Sequence, residues 1–301
     1  MGLEFKRLAL GDICTLKPFF ADNLCRICDC TIGGTFMWRD FHQTEFAIED
    51  GVLYIKVASP TPAFAHPRSA RSRDFVGDPY RKIIEYCNAA GLTAEICSVS
   101  EAVLKDILEQ YPQAQARTDR AWSDYLYESS DIVTLAGRKF SGQRNHINRF
   151  MKEYPVWTFE RISESNIGAV KDFIRKYAQE YSKDYPAYTE GNVKALEVLD
   201  NWDAYGQSGG ALFAAGEIVG VSIGEAVHDT LYVHVEKASP AHHGSYPMLM
   251  NQFARMLVSE QIKYINREED DGVEGLRASK LSYHPIAILD KYSVSLIERN
   301  V

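Results

Sequence analysis

Three consecutive stretches with the composition of β-strands occupy residues 209–216, 217–229 and 230–238, and this order constrains the fold more than any other feature. The first two are separated at Gly216-Glu217 and the last two at His228-Asp229-Thr230. Such short connections leave room for tight turns and for nothing longer. The sequence therefore predicts three successive antiparallel strands in this half of the chain.

The elements around these strands follow from periodicity and capping residues. A strand is predicted over residues 156–162, then a helix capped by Ser163 and a second helix from Gly191 to Trp202. After the three strands the chain predicts, in order, a helix from Tyr246 to Ser259, a strand at 263–266, a helix from Val273 to Ser282 and a terminal strand at 293–299. The resulting order is β, α, α, β, β, β, α, β, α, β.

The first half mixes strands and helices in the same way. A hairpin is predicted over residues 44–59 because Asp50-Gly51 is a favoured turn dipeptide between two apolar strands. The remaining predictions are a strand at 5–10, a helix from Asp12 toward Asn23, a helix from Asp78 to Ala90 ended by Gly91, a strand at 92–99 and a helix from Ser100 to Tyr111 stopped by Pro112.

Length and composition set the number of domains. A chain of 301 residues with 46% hydrophobic and 25% charged residues is typical of globular proteins of about two domains. We expect an N-terminal domain at 1–135, a basic connecting helix at 136–155 and a C-terminal domain at 156–301. Because no apolar run approaches about 20 residues and the first residues lack a signal-peptide pattern, we expect no membrane span and a cytoplasmic location.

The predicted connecting helix concentrates positive charge in a chain whose net charge is −8. Five cations and no carboxylate lie between Asp131 and Glu153, and several polar residues of this segment are four apart, which places them on one helix face. Guanidinium and amide groups bind phosphate or carboxylate well. We therefore predict an anionic substrate here, with the contacts made by Arg144, Asn145, Asn148 and Arg149. The alternative is a solvated helix whose charges pair with acidic residues elsewhere.

The cysteines predict no metal site. Cys25, Cys28 and Cys30 have the spacing of a metal knuckle, but no further Cys or His follows at the spacing that a structural zinc site requires. We interpret them as reduced thiols of a cytosolic protein.

The order of elements in the second half is that of the acyl-CoA N-acyltransferase (GNAT) fold. Three motifs add a family resemblance: LAGRKFSGQRNHINRF, YVHVEKA with HHGSYPMLMNQFA, and INREEDDGVEGLRASKLSYHP. Together they resemble a bacterial family of uncharacterised proteins related to the C-terminal domain of phosphatidylglycerol lysyltransferases. The resemblance covers nearly the whole chain. It implies an α/β (α+β) protein of two tandem GNAT-like domains, each with a mixed, largely antiparallel sheet flanked by helices.

In the GNAT fold the loop after the third successive strand holds the donor. Here Gly244 precedes a helix N-terminus, whose free N–H groups can bind phosphate. Acetyltransferases usually have an Arg or Gln and two closely spaced glycines in this loop, and Gly244 stands without them. We nevertheless predict that acyl-CoA is bound by Val233, His234, Val235, His243, Gly244, Ser245 and Tyr246.

Two residues are candidates for the chemistry. Acyl transfer to an amine needs a base for the amine and an acid for the leaving group. Glu236, near the end of the third strand, is placed to act as the base, and a salt bridge is the alternative. By the fold resemblance, Tyr283 looks like the tyrosine that protonates the leaving thiolate, with a packed aromatic residue as the alternative. In the acidic run 266–271, Arg267 and Glu268 are predicted to contact an amine-bearing acceptor; the alternatives are a solvated loop or a partner of the basic helix.

Three functions are consistent with this pattern. The first is N-acyl transfer from acyl-CoA to a small-molecule or peptide amine. The second is transfer from aminoacyl-tRNA, with the basic helix at the tRNA acceptor end. The third is a non-catalytic binding module, because one fold serves many functions.

Overall fold

The computed structural model describes residues 2–21, 25–58, 60–70, 75, 77–181 and 186–296; the side chains of residues 186–188 lie outside the description. Up to residue 123 the chain forms β1 (Lys6–Arg7), α1 (Ile13–Leu16), α2 (Pro18–Ala21), α3 (Ile32–Met37), β2 (Glu45–Glu49), β3 (Val52–Val57), β4 (Ala63–Ala65), β5 (Arg68–Ser69), α4 (Pro79–Ala90), β6 (Glu95–Val99), α5 (Glu101–Gln110) and β7 (Gln115–Thr118). Short 3-10 helices lie at Leu10–Asp12, Cys28–Cys30 and Arg120–Trp122.

From residue 124 onward the chain continues with the elements that form the second sheet and its helices. They are β8 (Asp124–Glu128), α6 (Ser129–Thr134), a 3-10 helix at Arg138–Phe140, α7 (Ser141–Glu153), β9 (Trp157–Arg161), α8 (Ile167–Tyr181), α9 (Pro186–Asp200), α10 (Trp202–Tyr205), β10 (Ser208–Ala214), β11 (Glu217–Val227), β12 (Thr230–Ala238), α11 (Ser245–Leu257), β13 (Tyr264–Asn266), α12 (Glu274–Leu281), β14 (Ala287–Leu289) and β15 (Tyr292–Ser295).

Two mixed sheets result. The first has the strand order β1-β2-β3-β4-β6-β15-β7 with β5 on β3, and the second has the order β14-β8-β13-β12-β11-β10-β9. Each sheet has a parallel pair, β4 with β6 and β12 with β13, among antiparallel neighbours. The three successive strands predicted at 209–238 are confirmed as β10, β11 and β12, and their pairing is antiparallel.

The chain divides into two compact units that are not continuous in sequence. Unit 1 contains residues Met1–Asp124, Glu269–Val273 and Ile288–Val301, and unit 2 contains Tyr125–Glu268 and Glu274–Ala287. The predicted boundaries at residues 135 and 155 follow chain order, whereas strand β15 pairs between β6 and β7 of the first sheet. Hydrogen bonding between strands far apart in sequence produces this arrangement.

Local residues explain several element boundaries. The hairpin turn places Asp50 and Gly51 at positive φ, as a type I′ turn requires. The helix predicted from Asp12 toward Asn23 is divided into α1 and α2, because Pro18 supplies no backbone N–H to continue the first. Asn23 lies outside the described residues. The terminal strand is four residues long, and residues 297–299 of its predicted range also lie outside the description.

Strand β12 carries an irregularity that shapes unit 2. Its register with β11 pairs Val235 with Ile223 and then Val233 with Gly224, so His234 is a bulge residue without an opposite partner. Gly224 permits the close approach, since a Cβ there would lie 2.0 Å from the Tyr232 carbonyl oxygen. On the other side, the pairing of β12 with β13 in the described residues extends from Thr230 to Tyr232. Strand β13 ends at Asn266, opposite Tyr232, so β12 continues past the end of its parallel neighbour.

Both units have buried apolar cores. Ile83, Phe64 and Ile96 are fully buried in unit 1, as are Phe253, Met248 and Ile223 in unit 2. Within the described ranges, no helix has both the length and the apolar character that crossing a bilayer requires.

Candidate functional site

Paired charges lie in unit 2 where β12 continues past the end of β13. The bulge residue His234 donates through Nδ1 to Glu268 Oε1 at 2.6 Å and through Nε2 to Glu225 Oε1 at 2.9 Å, and its side chain is 2% exposed. Burial opposes the charged ring, but the hydrogen bonds to the two carboxylates prevail and raise the pKa of His234 to about 10. His234 is therefore an imidazolium at neutral pH, held between two carboxylates.

This histidine predicts a pH dependence of stability. Because the pKa of His234 is raised from 6.5 to about 10 in the folded state, its contribution is full below pH 6.5 and is lost as the pH rises toward 10. We expect His234→Gln to remove a slope of up to about 1.4 kcal/mol per pH unit in that range. Urea unfolding of both proteins from pH 6 to 8 measures it. Parallel pH profiles would contradict the expectation.

Two residues further along β12, Glu236 forms a bidentate pair with Arg267, which follows β13. Its Oε2 accepts from Arg267 Nε at 3.2 Å and its Oε1 from Nη2 at 2.8 Å. Arg267 is 7% exposed, and its Nη1 has no hydrogen-bond acceptor among the described residues. The candidate base Glu236 is thus held by a buried guanidinium, and in the described part of the chain the Nη1 of that guanidinium has no acceptor for its N–H groups.

Aromatic rings enclose this pair. The guanidinium carbon of Arg267 lies 4.7 Å from the ring centre of Tyr283 and 5.8 Å from that of Tyr127. Burial raises the pKa of Tyr283; nearby Arg267 opposes this rise and Glu236 adds to it. Tyr283 therefore remains a protonated phenol at neutral pH, beside the carboxylate predicted as base.

The acidic run after β13 is engaged in internal contacts. Lys280 donates to the carbonyl oxygens of Arg267 and Glu268, and the Asn266 side chain accepts from the Glu268 N–H at 2.6 Å. Glu268 itself has a positive φ of 57°. These contacts fix the backbone so that Arg267 and Glu268 both reach β12. Asn266, Arg267 and Asp270 of the run are buried, and Arg267 and Glu268 come together with Glu236 and His234.

The residues predicted to bind the acyl donor differ in their surroundings. Val233 and Val235 are 4% and 3% exposed and belong to the core, whereas His243 is exposed on the loop after β12. Ser245 Oγ donates to the Ser239 carbonyl oxygen at 2.9 Å. Tyr246 lies with its hydroxyl oxygen 2.9 Å from that of Tyr177.

Gly244 begins α11 with a φ of 81°, and its missing side chain makes room for helix α7. A Cβ at Gly244 would lie 2.2 Å from the His146 carbonyl oxygen and 3.1 Å from the Phe150 Cβ. The basic helix thus packs directly against the helix N-terminus that was predicted to hold a phosphate. The close approach of two backbones explains the glycine without a ligand.

The basic helix shows mixed roles for its predicted residues. Arg144 donates to the carbonyl oxygens of Leu135 and Gly137, the latter at 2.7 Å, so its guanidinium holds the preceding turn. Arg149 pairs with Glu153 at 2.7 Å. Asn145 and Asn148 are exposed. The exposed surface of α7 therefore includes two amides and Lys152 beside the Arg149–Glu153 pair and Met151, and Arg144 is turned to the backbone.

Arg144→Ala should consequently affect stability. Loss of charge-assisted hydrogen bonds to backbone carbonyls is expected to lower the free energy of unfolding by about 1.5–3 kcal/mol. Arg149→Ala, which removes an exposed pair, should leave the denaturation midpoint unchanged. Equal midpoints for the two variants in urea would show that the Arg144 contacts contribute nothing.

A second cluster of charges lies in unit 1. The ammonium of Lys291 is 2.7 Å from Asp29 Oδ2, 2.8 Å from Asp124 Oδ1 and 3.0 Å from Glu269 Oε2. Cys28 Sγ is 3.1 Å from the same nitrogen. The ligand atoms of Cys28, Asp124 and Glu269 lie within 4.8 Å of one another, as around a metal ion. In this structure the buried lysine supplies the positive charge between them.

The charges of this cluster stabilise one another. Burial opposes ionisation of Lys291, but Asp124 and Asp29 prevail and raise its pKa well above the usual value. Burial also opposes the charge on Asp29, yet Lys291 lowers the pKa of that carboxyl. Burial, with the nearby Asp124 carboxylate, raises the pKa of the Cys28 thiol, which stays protonated. Of the three cysteines with knuckle spacing, Cys28 therefore serves in a polar core rather than as apolar filling.

Sequence reasoning missed Glu225, Tyr127 and Lys291. Glu225 and Tyr127 stand in strands, and neither residue alone differs from a surface charge or a packed ring. A sequence signal existed for Glu225. Strands β11 and β12 form a hairpin, so Glu225 near the end of β11 lies opposite Tyr232 near the start of β12. Lys291 carried no comparable signal.

Comparisons with known proteins agree with this architecture. Residues 26–295 match the family model described as phosphatidylglycerol lysyltransferase, C-terminal. A conserved protein of unknown function from Bacteroides thetaiotaomicron VPI-5482 is 34% identical, with a TM-score of 0.90 over 98% of this chain and 100% of that chain. The C-terminal domain of a putative lysylphosphatidylglycerol synthetase from Agrobacterium fabrum has a TM-score of 0.68 at 14% identity over 95% and 92% of the two chains.

A curated sequence relative matches more narrowly. An uncharacterized protein of Mycoplasmoides gallisepticum (strain R(low / passage 15 / clone 2)) is 26% identical over 178 residues, or 58% of this chain. The match spans 56% of that relative's length. Together with the two mixed sheets, these findings confirm the predicted tandem GNAT-like fold and the family resemblance.

Proposed function

We propose that this chain, which belongs to the family of phosphatidylglycerol lysyltransferase C-terminal domains, is an acyltransferase that takes its acyl group from aminoacyl-tRNA. The reaction is attack of an acceptor amine or hydroxyl on the ester carbonyl, followed by cleavage of the acyl C–O bond. The acceptor loses a proton, and the tRNA leaves with a free, protonated hydroxyl on its 3′-terminal ribose. It needs a base, an acid and hydrogen-bond donors at the carbonyl oxygen.

One observation carries the proposal. Arg267 is buried and pairs through two nitrogens with Glu236, and its Nη1 has no acceptor within the part of the chain that the structure describes. A buried donor without an acceptor costs about 1–3 kcal/mol, so such a group calls for a ligand. A carbonyl oxygen that becomes negative in the transition state is a suitable acceptor for it.

Glu236 and Tyr283 complete the chemistry in this proposal. Each Glu236 oxygen accepts one hydrogen bond from Arg267 and retains a lone pair for the acceptor proton. Tyr283, a protonated phenol against the same guanidinium, donates to the departing ribose oxygen. Glu236 can act as the base and Tyr283 as the acid while the Glu236–Arg267 hydrogen bonds stay in place.

The surroundings of α11 support aminoacyl-tRNA as donor. Helix α7 covers the start of α11 at Gly244, where a CoA pyrophosphate would otherwise sit. The same helix exposes Asn145, Asn148 and Lys152, and such amide and cationic groups suit an RNA backbone. These features favour aminoacyl-tRNA over CoA as the donor.

An acyl-CoA donor remains the second candidate because of the order of elements. Strand β12 continues past the end of β13, and an acyl-CoA arm would lie along this part of β12 in a GNAT fold. In this alternative Tyr283 protonates the thiolate, and an amine is the acceptor.

A transfer assay with two labelled donors tests the proposal. We would incubate the protein with [14C]lysyl-tRNA or [14C]acetyl-CoA, together with phosphatidylglycerol vesicles or a mixture of amines. Label is expected to leave lysyl-tRNA faster than in buffer, and Arg267→Met should abolish the difference. Consumption of acetyl-CoA alone would select the second candidate. If neither donor is consumed above the Arg267→Met background, the chain is not an acyltransferase of either kind.

A further inference from the structure

Lys237, the residue after Glu236 on β12, is a partly buried cation that the proposed chemistry does not use. Its Nζ lies 5.3 Å from the ring centre of Tyr177 on α8. On its other side is Gly191 of α9, where a Cβ would be 4.0 Å from Nζ. Among the residues that the structure describes, no carboxylate forms an ion pair with it.

The surroundings disfavour the charge on Lys237. Burial lowers its pKa from 10.5 to about 8. Consecutive strand residues point to opposite faces, and the carboxylate of Glu236 is engaged by Arg267. The aromatic face of Tyr177 offers a weak cation–π contact in place of a counter-ion. An ammonium in this position gains far more from an anionic ligand than a solvated lysine does.

Two tyrosine hydroxyls beside Lys237 add a donor. The Tyr246 and Tyr177 hydroxyl oxygens are 2.9 Å apart, and the Tyr177 ring is the one that Lys237 Nζ faces. Burial raises the pKa of both phenols, so both keep their protons. The hydrogen bond between them uses one of the two protons, and the second hydroxyl can donate to a ligand.

We propose that Lys237, Tyr177 and Tyr246 form a binding site for a phosphate group of the acyl donor. The inference rests on the proposed function for the identity of the donor. Lys237 is on β12, next in sequence to Glu236, and Tyr246 is in the first turn of α11, which follows the loop after β12. A phosphodiester near the tRNA 3′ end and the phosphates of CoA have the chemistry that these donors recognise.

The test measures Lys237 directly. After 13C reductive methylation, the dimethyl-lysine resonance that disappears in Lys237→Arg is assigned and titrated by NMR, alone and with inorganic pyrophosphate, unacylated tRNA or CoA. Without ligand we expect a midpoint near 8. A phosphate ligand should raise it by about one unit or more, because the anion stabilises the ammonium. Comparing the tRNA and CoA arms identifies the source of the phosphate.

Binding variants provide the second readout. Lys237→Met should weaken the affinity for the responding ligand by about tenfold or more in calorimetry. The matched control Lys176→Met, which removes an exposed cation of α8 next to Tyr177, should change it less than about twofold. Lys237→Arg should retain most of the affinity.

The outcomes separate this inference from the proposed function. An unliganded midpoint near 10.5, or one that none of the three ligands moves, overturns the phosphate site even if acyl transfer occurs. A ligand-raised midpoint with no transfer from either donor supports the site and overturns the proposed reaction.

Discussion

Lys291→Met is expected to lower the free energy of unfolding by about 3–5 kcal/mol, because it leaves buried carboxylates without their counter-ion. Lys291 is 8% exposed, and Asp124 and Asp29 both lie within 2.8 Å of its ammonium. Methionine has a similar length and preserves much of the packing. The decrease in the free energy of unfolding therefore comes from the uncompensated negative charge rather than from a cavity.

Urea denaturation at pH 7 measures this effect. Lys105→Met is the control, since Lys105 pairs with Glu101 on the exposed face of α5 and its removal should leave the midpoint unchanged. If Lys291→Met does not fold, the double variant Lys291→Met/Asp124→Asn removes one of the stranded charges and should recover part of the stability. A midpoint equal to that of the Lys105 control would show that the cluster is not electrostatically coupled.

Tyr283→Phe is expected to reduce turnover by about 10²-fold while leaving stability almost unchanged, once a donor and an acceptor are identified. The ring of Tyr283 is 5% exposed and packs at 82° against Tyr127 and beside Arg267, and phenylalanine keeps these contacts. The substitution removes the hydroxyl proton that the proposed mechanism gives to the leaving oxygen.

Steady-state kinetics and a denaturation curve together decide this role. Tyr181→Phe, on an exposed part of α8, is the matched control and should leave turnover unchanged. A rate constant equal to that of the unmodified protein would remove Tyr283 from the mechanism and leave a packed aromatic residue. A large loss of stability would instead assign the hydroxyl to the fold.

The helices and strands were largely predictable because their signals are local. The alternation of apolar residues and the turn at Asp50-Gly51 identified a hairpin, and Asp78 and Gly91 marked the two ends of α4. The helix from Asp12 was predicted too long, since the effect of Pro18 on its continuation was not considered.

The candidate site was predictable in part. Glu236, Tyr283, Arg267 and Glu268 were each selected from position or motif, and unit 2 brings them together where β12 continues past the end of β13. The sequence could not show that Glu236 and Arg267 pair, because their contact depends on where β12 and β13 stop pairing. It also could not show that Arg144 turns toward backbone carbonyls.

By itself, the sequence determined most of the helices and strands, the family and the residue types available for acyl transfer, since these depend on neighbours within a few positions. It did not predict the short strands β4, β5, β7, β8 and β14. Only the tertiary structure decided which distant charges meet. Lys291 is 263 residues from Cys28 and 22 from Glu269, yet all three converge in unit 1. The register between strands sets that convergence, and a register is a property of two segments of chain that neither segment encodes alone.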